Sequence, residues 1–284
     1  MSGRLFVVAT PLGNLQDVTL RALAVLRQVD LIACEDTRRT AKLLAAHGIS
    51  TPTTSYFDHN ERLKAERLLE RLQAGRDVAL VSDAGTPTLS DPGYRLVRAA
   101  REAGLAVLPV PGPSALAAAL SVSGLPTDRF LFVGFLPGRA TARRRAVEAL
   151  RERPETLVLY ESPRRLLALL RDLLEVLGER EAFLCREATK LHEEYRAASL
   201  SALETELRAR EAVRGEVTLV VGGAAPAGAD SRADPEELFE ALVAAGATRR
   251  EAVKQVARRL GLPAREVYRR TLGSLPPPGT PGDS

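Results

Sequence analysis

The sequence predicts an α/β fold class: two α/β domains with a cleft between them and a small C-terminal helical appendage. Three observations lead to this prediction. Short apolar runs rich in β-branched residues alternate with helical patterns as far as Val221, which is typical of strand–helix layers. Glycine and proline punctuate the middle of the chain, between Pro111 and Asp128. After Val221 the composition changes to a stretch rich in Gly, Ala and Pro.

Apolar runs of strand length occur along both halves of the chain. They are Leu5–Val8, Leu31–Cys34, Val78–Val81, Leu105–Leu108, Phe130–Val133, Leu157–Tyr160, Phe183–Cys185 and Val217–Val221. The helical patterns between them predict largely parallel pairing. The first four runs indicate an N-terminal α/β domain over 1–115, and the last four a second α/β domain over 116–224. A cleft between two such domains favours a small-molecule site.

The sequence after Val221 predicts a linker, three short helices and a tail. Residues 222–233 read as a linker because they are rich in Gly, Ala and Pro. The appendage spans 234–273, with Asp234-Pro235 at its first helix start and a Thr248–Glu251 capping box at its second. Gly261 and Pro263 divide the second helix from the third. The tail, 274–284, is rich in Pro and Gly and is predicted to be disordered.

Composition excludes several classes of protein. Hydrophobic residues make up 45% of the 284 residues, which is enough for packed cores. No apolar run reaches membrane-spanning length, and the first predicted strand leaves no room for a signal peptide. We therefore expect a cytoplasmic protein without a membrane partner. Cys34 and Cys185 are expected to be buried free thiols, and with three His residues in all no metal site is predicted.

Positive charge is concentrated in two places. The net charge is +4 and the pI about 9.3. One basic cluster comprises Arg139, Arg143, Arg144 and Arg145. The other, in the appendage, comprises Arg249, Arg250, Lys254, Arg258, Arg259, Arg265, Arg269 and Arg270. A solvated helix face explains such a run as well as a polyanion partner does.

The most informative segment is the loop that follows the third apolar run. It reads Ser82-Asp83-Ala84-Gly85-Thr86-Pro87-Thr88-Leu89-Ser90-Asp91-Pro92-Gly93. In an open α/β sheet, ligands bind at the carboxyl ends of the strands. Small residues let a ligand approach the backbone, and carboxylates accept hydrogen bonds from hydroxyl or amino groups. A turn with a helix cap explains Ser90-Asp91-Pro92 but not the residues before it, so we predict a binding loop.

Other polar loops follow most of the predicted strands. They contain Thr10–Leu15, Glu35–Arg39, Asp58–Arg62, Pro111–Ala115, Glu161–Arg165 and Glu187–Lys190. Each has a plainer explanation: Asp36 and Ser114 can cap helices, and Glu161, Glu187 and Lys190 can form ordinary ion pairs. No G-x-G-x-x-G follows the first strand and no G-x-x-x-x-G-K-[ST] occurs, so dinucleotide and P-loop sites are disfavoured.

Read in order, these loops resemble a known family. Thr10-Pro11-Leu12-Gly13-Asn14-Leu15, Glu35-Asp36-Thr37-Arg38, Asp58-His59-Asn60-Glu61, the Ser82–Gly93 loop, Pro111-Gly112-Pro113-Ser114 and Tyr160-Glu161-Ser162 carry the likeness. They are similar to the bacterial small-subunit ribosomal RNA methyltransferases of type I, in the tetrapyrrole methylase superfamily. The likeness extends from residue 4 to about 272. Ser82 and Ala84 replace the Gly and Pro of the superfamily's Gly-Asp-Pro loop, which argues against a tetrapyrrole substrate.

The resemblance implies a methyltransferase that uses S-adenosyl-L-methionine to methylate a ribose 2′-hydroxyl. Its substrate would be a cytidine in the decoding centre of 16S rRNA, within the small ribosomal subunit, and the enzyme would be a homodimer without a metal. The cofactor residues that it implies are Pro11, Leu12, Gly13, Ser82, Asp83, Ala84, Gly85, Ser114, Ala115, Glu161 and Glu216.

Two sets of residues complete the prediction. Candidates for the general base that such a transfer needs are Asp36, His59, Glu187 and Lys190, and the sequence does not choose among them. Candidates for RNA contact are Arg38, Asn60, Arg139, Arg143, Arg144, Arg145, Arg249, Arg250 and Lys254.

Two alternative functions stay open. One is a methyltransferase of the same fold acting on a tetrapyrrole or other small molecule, and the other is a regulator with a C-terminal helix-turn-helix.

Overall fold

The computed structural model describes residues 2–57, 60–224, 234–260, 262 and 264–272. These residues divide into two compact units. The first comprises 2–151 with 155–222 and contains two β-sheets, and the second comprises 152–154 with the described residues after 222. His59, most of the predicted linker and the predicted tail lie outside the described residues.

The first sheet is parallel throughout, as the strand–helix alternation predicts. Its strands are β1 (Arg4–Val8), β2 (Leu31–Cys34), β3 (Thr53–Ser55), β4 (Val78–Val81) and β5 (Ala106–Val110), in the order β3-β2-β4-β1-β5. The helices between them are α1 (Leu20–Gln28), α2 (Thr37–Ala46), α3 (Glu61–Gln73) and α4 (Tyr94–Glu102). Helices cover both faces, so Leu80 joins one core cluster while its neighbour Val81 joins the other. Burial on both faces explains why these strands are apolar runs rather than alternating ones.

The second sheet is mixed, and the prediction of largely parallel pairing is wrong for it. Its strands are β6 (Phe130–Phe135), β7 (Thr156–Glu161), β8 (Glu181–Arg186), β9 (Glu194–Ser199) and β10 (Val217–Val221), in the order β6-β7-β10-β8-β9. Only β6 and β7 pair in parallel, because β10 inserts antiparallel between β7 and β8, and β9 folds back on β8. An apolar run identifies a buried strand but carries no information about its direction.

Four helices accompany the second sheet. They are α5 (Ala115–Val122), α6 (Ala140–Glu148), α7 (Pro163–Leu177) and α8 (Leu200–Arg208). Leu166, Leu169 and Leu173 of α7 are fully buried in the larger core cluster of this sheet. Helix α5 covers the other face, where Ala119 and Leu120 pack among residues of β7, β8 and β10. The β5–α5 loop leads from the last strand of the first sheet to α5, the helix that packs on the second sheet.

The second unit contains three helices: α9 (Pro235–Ala244), α10 (Arg249–Leu260) and α11 (Ala264–Leu272). The first two predicted helix starts are confirmed, since Asp234 Oδ1 accepts the Glu236 N–H at 2.9 Å and Thr248 and Glu251 form a reciprocal capping box. Gly261 and Pro263, which are predicted to divide the second helix from the third, lie outside the described residues. Phe239 and Val256 belong to its small core. None of the helices in the described part of the chain combines the length and apolar character that a membrane span needs.

Candidate functional site

The loops after β1 and β4 are joined at the carboxyl edge of the first sheet. Thr10 and Gly85 form an isolated antiparallel bridge with two backbone hydrogen bonds of 2.9 Å. The Thr10 hydroxyl also donates to the Ser82 carbonyl at 3.1 Å. Gly85 adopts a φ of +82°, and a Cβ there would lie 3.2 Å from Leu12 Cδ2. The glycine therefore permits both the turn and the close approach of the two loops.

A cleft of about 360 Å³ opens beside this bridge, between the loops of the two sheets. Residues of both sheets line it. The first-sheet side provides Leu12, Glu35, Arg39, Asp83, Ala84, Gly85, Thr86, Leu89, Asp91, Ser114 and Ala115, and the second-sheet side provides Phe135, Tyr160, Glu161, Ser162, Pro163, Cys185, Ala188, Gly215, Glu216, Val217 and Thr218. Most of the predicted cofactor residues thus come together in one cleft, whereas Pro11, Gly13 and Ser82 are not among the residues that line it.

Asp83 connects the β4 loop with the start of α2. Its Oδ1 accepts the Asp36 N–H at 2.9 Å, and its Oδ2 lies 3.4 Å from Arg39 Nη1. Asp36 itself caps α2, because its Oδ1 accepts the Arg38 N–H at 2.8 Å. Hydrogen bonds from the Arg38 side chain and backbone lower the pKa of Asp36 to about 2. The capping interpretation is confirmed, and so low a pKa makes Asp36 a weak base.

Glu187 and Lys190 form an ion-pair cluster on the second-sheet side. Lys190 Nζ lies 2.8 Å from Glu187 Oε1 and 3.3 Å from Glu216 Oε2. Burial opposes the charge of each, but their mutual hydrogen bond prevails: the pKa of Glu187 is lowered and that of Lys190 is raised. Lys190 is therefore held as an ammonium ion. Gly215 makes room for this cluster, since a Cβ on it would lie 2.3 Å from Glu187 Cγ.

The start of α5 faces the same cleft through Ser114 and Ala115. The Ser114 side chain makes no capping hydrogen bond. The Leu116 N–H donates to the Tyr160 hydroxyl at 3.1 Å. Phe132 and Phe135 pack edge-on against the Tyr160 ring, with centroid distances of 5.0 and 5.7 Å. These contacts fix one wall of the cleft.

Glu161 offers the cleft a buried carboxylate oxygen. Its Oε1 accepts the Ser162 N–H at 2.6 Å and Arg165 Nε at 2.7 Å. Its Oε2 is buried and has no hydrogen-bond partner among the described residues. An unsatisfied buried oxygen costs free energy, so this atom indicates that a ligand with an N–H or O–H donor belongs in the cleft. A nucleoside cofactor with amino and hydroxyl groups fits that requirement.

Asp91 is a cleft residue that the sequence-based candidates for the general base do not include. Burial, with the charges of Glu35, Asp83 and Glu216, raises its pKa to about 7 even though a hydrogen bond from Ser82 opposes the shift. Its sequence context, Ser-Asp-Pro before a helix, is that of a helix cap, so the sequence gives no sign of the raised pKa. The strained φ values of the preceding Thr88 (+74°) and Ser90 (+67°) cannot be read from a sequence.

The structure separates the predicted RNA contacts into exposed and buried groups. Arg139, Arg145, Arg249, Arg250 and Lys254 are exposed. Arg38 is exposed but paired with Asp36, and Asn60 is half-buried, its Oδ1 accepting the Phe57 N–H at 2.9 Å. The described residues contain no group of three or more His, Cys, Asp or Glu that would hold a metal ion.

Arg143 requires a correction, because it is not on the surface. Its side chain is only 6% exposed, and Nε lies 2.6 Å from Asp172 Oδ2. Arg144 reaches the other oxygen of Asp172 at 2.7 Å and also pairs with Glu175. The helical spacing turns Arg143 inward against α7 while its neighbours face solvent. Its guanidinium therefore anchors α6 and is not available to a phosphate.

Comparison with protein families places the chain among methylases. Residues 4–204 match the model of the tetrapyrrole (corrin/porphyrin) methylases, a family whose methyltransferases use S-adenosyl-L-methionine. The ribosomal RNA small subunit methyltransferase I of Micromonospora olivasterospora is 49% identical over 269 residues, covering 94% of this chain and 86% of that one. The same-named protein of Pseudomonas aeruginosa is 52% identical over 233 residues, covering 81% and 83% of the two chains.

Solved structures show the same fold. Uroporphyrin-III C-methyltransferase from Thermus thermophilus is 26% identical and superposes with a TM-score of 0.56 over 78% of this chain and 94% of that one. A structure of that enzyme complexed with S-adenosylhomocysteine gives the same TM-score at 23% identity, over 78% and 97% of the two chains.

Proposed function

Because the chain belongs to the tetrapyrrole methylase family, and within it to the ribosomal RNA small subunit methyltransferases I, we propose that it methylates the 2′-hydroxyl of a cytidine in the decoding centre of 16S rRNA. The methyl donor is S-adenosyl-L-methionine. The observation that carries the proposal concerns the six family loops. Five of these loops contribute described residues to the lining of a single cleft.

The cleft supports binding of the donor through specific groups of this chain. The unpartnered Oε2 of Glu161 can accept a hydrogen bond from the adenine or ribose part of the cofactor. Ala84 and Gly85 let a ligand approach the backbone beside Asp83. Asp83 and Glu216 place carboxylates in the lining of the cleft, and such groups stabilise a cationic ligand. When bound, the cofactor supplies a methyl group on a positively charged sulfur.

The reaction breaks the S–CH3 bond, forms an O–CH3 bond and releases the hydroxyl proton. Such an in-line displacement depends mainly on alignment, so the fixed loops contribute by holding the acceptor hydroxyl beside the methyl group. A base must then receive the proton. Among the bases predicted from sequence, Asp36 and Glu187 have lowered pKa values and Lys190 is held protonated. His59 lies outside the described residues.

Recognition of RNA falls to the exposed basic groups. Arg139 precedes the first residue of α6 and Arg145 lies in its last turn. Arg249, Arg250 and Lys254 form a second group on α10. Such side chains bind phosphates and make affinity dependent on salt. Phe135, which is 54% exposed at the cleft, can stack on an unpaired base. We propose that the protein acts in the cytoplasm as a homodimer on the small ribosomal subunit.

The direct test is methyl transfer from labelled S-adenosyl-L-methionine to small ribosomal subunits that lack ribose methylation. Naked 16S rRNA and large subunits serve as alternative acceptors. We expect label in the 16S rRNA of the small-subunit reaction and none in large subunits. Cofactor binding without transfer to any ribosomal RNA would contradict the proposal and favour a small-molecule acceptor, such as a tetrapyrrole.

A further inference from the structure

We propose that Asp91 is the general base that takes the proton from the acceptor hydroxyl. This inference rests on the proposed function, because it concerns the same cleft and the same methyl transfer. It replaces the sequence-based candidates with a residue that the sequence assigns to a helix cap. Four observations support it: the position of Asp91, the rigidity of its loop, the charges that face it, and the weak basicity of Asp36 and Glu187 beside a Lys190 that is held protonated.

Asp91 lies where a base has to lie, in the lining of the cleft. The β4–α4 loop that carries it also supplies Asp83, Ala84 and Gly85 to the same cleft. Tyr160 of β7 and Glu216, the residue before β10, also line this cleft. An acceptor hydroxyl placed beside a donor that contacts Asp83 and Glu161 therefore has Asp91 within the same cavity.

The loop around Asp91 is held by contacts from several elements. Thr88 and Ser90 have φ values of +74° and +67°, which are costly for residues with a side chain. A Cβ on Gly134 of β6 would lie 2.9 Å from Ser90 Oγ, so Ser90 packs directly on the second sheet. The Gly93 N–H donates to Glu61 Oε1 at 3.1 Å. Backbone strain of this kind persists only where the surroundings fix it and is found at functional sites.

Three carboxylates face Asp91 from different elements. Glu35 comes from the β2–α2 loop, Asp83 from the β4 loop itself, and Glu216 from the residue before β10. Tyr160 of β7 adds a neutral hydroxyl, whose pKa is raised by burial and further by the charge of Asp91. Arg39 of α2 pairs with Asp83. Burial and these negative charges raise the pKa of Asp91 to about 7. At neutral pH a substantial fraction of the carboxyl is ionised, and each ionised group is a far stronger base than an ordinary carboxylate.

Proton transfer to Asp91 accompanies the transfer of the methyl group. The ribose oxygen forms a bond to the methyl carbon, the carbon–sulfur bond breaks with its electron pair going to sulfur, and the hydroxyl proton passes to Asp91. The products are the methylated ribose, S-adenosylhomocysteine and a protonated Asp91, which then returns its proton to water.

The test compares Asp91→Asn with the wild-type chain in single-turnover transfer to small ribosomal subunits. The amide keeps the size and shape of the side chain but cannot take a proton. We expect the transfer rate to fall by roughly 10²-fold to 10⁴-fold, with the dissociation constant for S-adenosyl-L-methionine changed by less than about threefold, equivalent to ~0.7 kcal/mol. Donor binding also shows that the variant is folded. Asp30→Asn is the matched control, since Asp30 pairs with Arg76 before β2 and does not line the cleft.

The pH dependence separates a base from a structural residue. The wild-type rate is expected to rise through an apparent pKa near 7, and this rise is expected to disappear in Asp91→Asn but to persist in Asp30→Asn. A full rate in Asp91→Asn, an unchanged pH profile, or a loss explained entirely by weaker donor binding would overturn the assignment. A wild-type chain that binds the donor but transfers nothing to ribosomal RNA would instead overturn the proposed function on which the assignment rests.

Discussion

Gly13 and Lys190 touch across the two sheets of the first unit. A Cβ on Gly13 would lie 2.1 Å from Lys190 Cγ, and the neighbouring Asn14 N–H donates to Thr189 Oγ1 at 3.2 Å. The β1 loop of one sheet is thereby joined to the β8–β9 loop of the other. Gly13 is required here because of this close approach of a side chain, and Lys190 in turn orients Glu187 and Glu216.

Replacing Gly13 by Ala is expected to impair catalysis more than stability. The added methyl group must displace Lys190 and with it the Glu187–Glu216 side of the cleft. We expect the transfer rate to fall roughly 10-fold to 100-fold, as small misplacements do in an aligned site. Gly222→Ala is the control, because a Cβ there meets only ordinary contacts of 3.4 Å or more. Equal rates for the two variants would show that the Gly13 contact does not matter.

Glu161→Gln is expected to weaken donor binding. The variant removes the charge of the buried oxygen that faces the cleft, and a hydrogen bond to a charged group contributes about 1.5–3 kcal/mol. We expect the dissociation constant for S-adenosyl-L-methionine to rise about tenfold or more, measured by calorimetry. Glu204→Gln controls for the loss of a buried carboxylate paired with arginine, because Glu204 pairs with Arg171 and Arg208 but does not line the cleft. Unchanged binding in Glu161→Gln would exclude a cofactor contact.

Neutralising Arg249, Arg250 and Lys254 together is expected to weaken RNA binding and leave cofactor binding intact. All three are exposed on α10. The slope of log affinity against log salt is expected to become shallower by about 1 for each phosphate that the variant no longer neutralises. Arg98→Gln, an exposed arginine paired with Glu102, provides the control. An unchanged RNA affinity and an unchanged salt slope would show that the second unit is not part of the RNA-binding surface.

Arg143→Ala is expected to destabilise the fold without a selective effect on RNA affinity. It leaves the buried Asp172 carboxylate, 3% exposed, without its closest partner. Loss of one member of a buried ion pair costs about 3–5 kcal/mol, which chemical denaturation measures directly. Arg145→Ala removes an exposed neighbour and is expected to show the reverse, with weaker RNA binding and little change in stability. An equal loss of RNA binding in both variants would contradict the distinction.

Stability is expected to fall in acid because of Glu194. Hydrogen bonds from Arg210, and then from Arg186, lower its pKa from 4.5 to about 2. A lowered pKa means that the ionised form stabilises the folded chain; this contribution is complete above about pH 4.5 and is lost as the pH falls towards 2. Glu194→Gln is expected to lower the melting temperature near neutral pH and to flatten its decline over that interval. Parallel melting curves for both proteins across the interval would contradict this account.

The sequence predicted eight of the ten strands that the structure describes, including the edge strands β5 and β6, and it missed two. Both missed strands lie at sheet edges: β3 is Thr-Thr-Ser and half-buried, and β9 is Glu-Tyr-Arg-Ala-Ala-Ser and largely exposed. An edge strand can form without an apolar run because one of its sides faces solvent. Composition alone does not reveal an edge strand of that kind. The parallel order of the first sheet followed from its alternation with helices, whereas β10 enters the second sheet in a direction that no local pattern encodes.

The site was predictable as a set of loops but not as a set of chemical roles. Asp83, Gly85 and Glu161 come together as the resemblance implies. The roles of Asp36 and Asp91 could not be assigned from sequence, because both precede a helix and differ only in what surrounds them. Arg38 stabilises the charge of one, and burial with three carboxylates destabilises the charge of the other.

The measurement that tests the central claim most directly is the identity of the methylated atom. Small subunits treated with the protein and S-adenosyl-L-methionine are digested to nucleosides and analysed by mass spectrometry. The account predicts a new 2′-O-methylcytidine in 16S rRNA, at one position in the decoding centre. A methyl group found on a base, on another ribonucleoside or on no ribosomal RNA would contradict it.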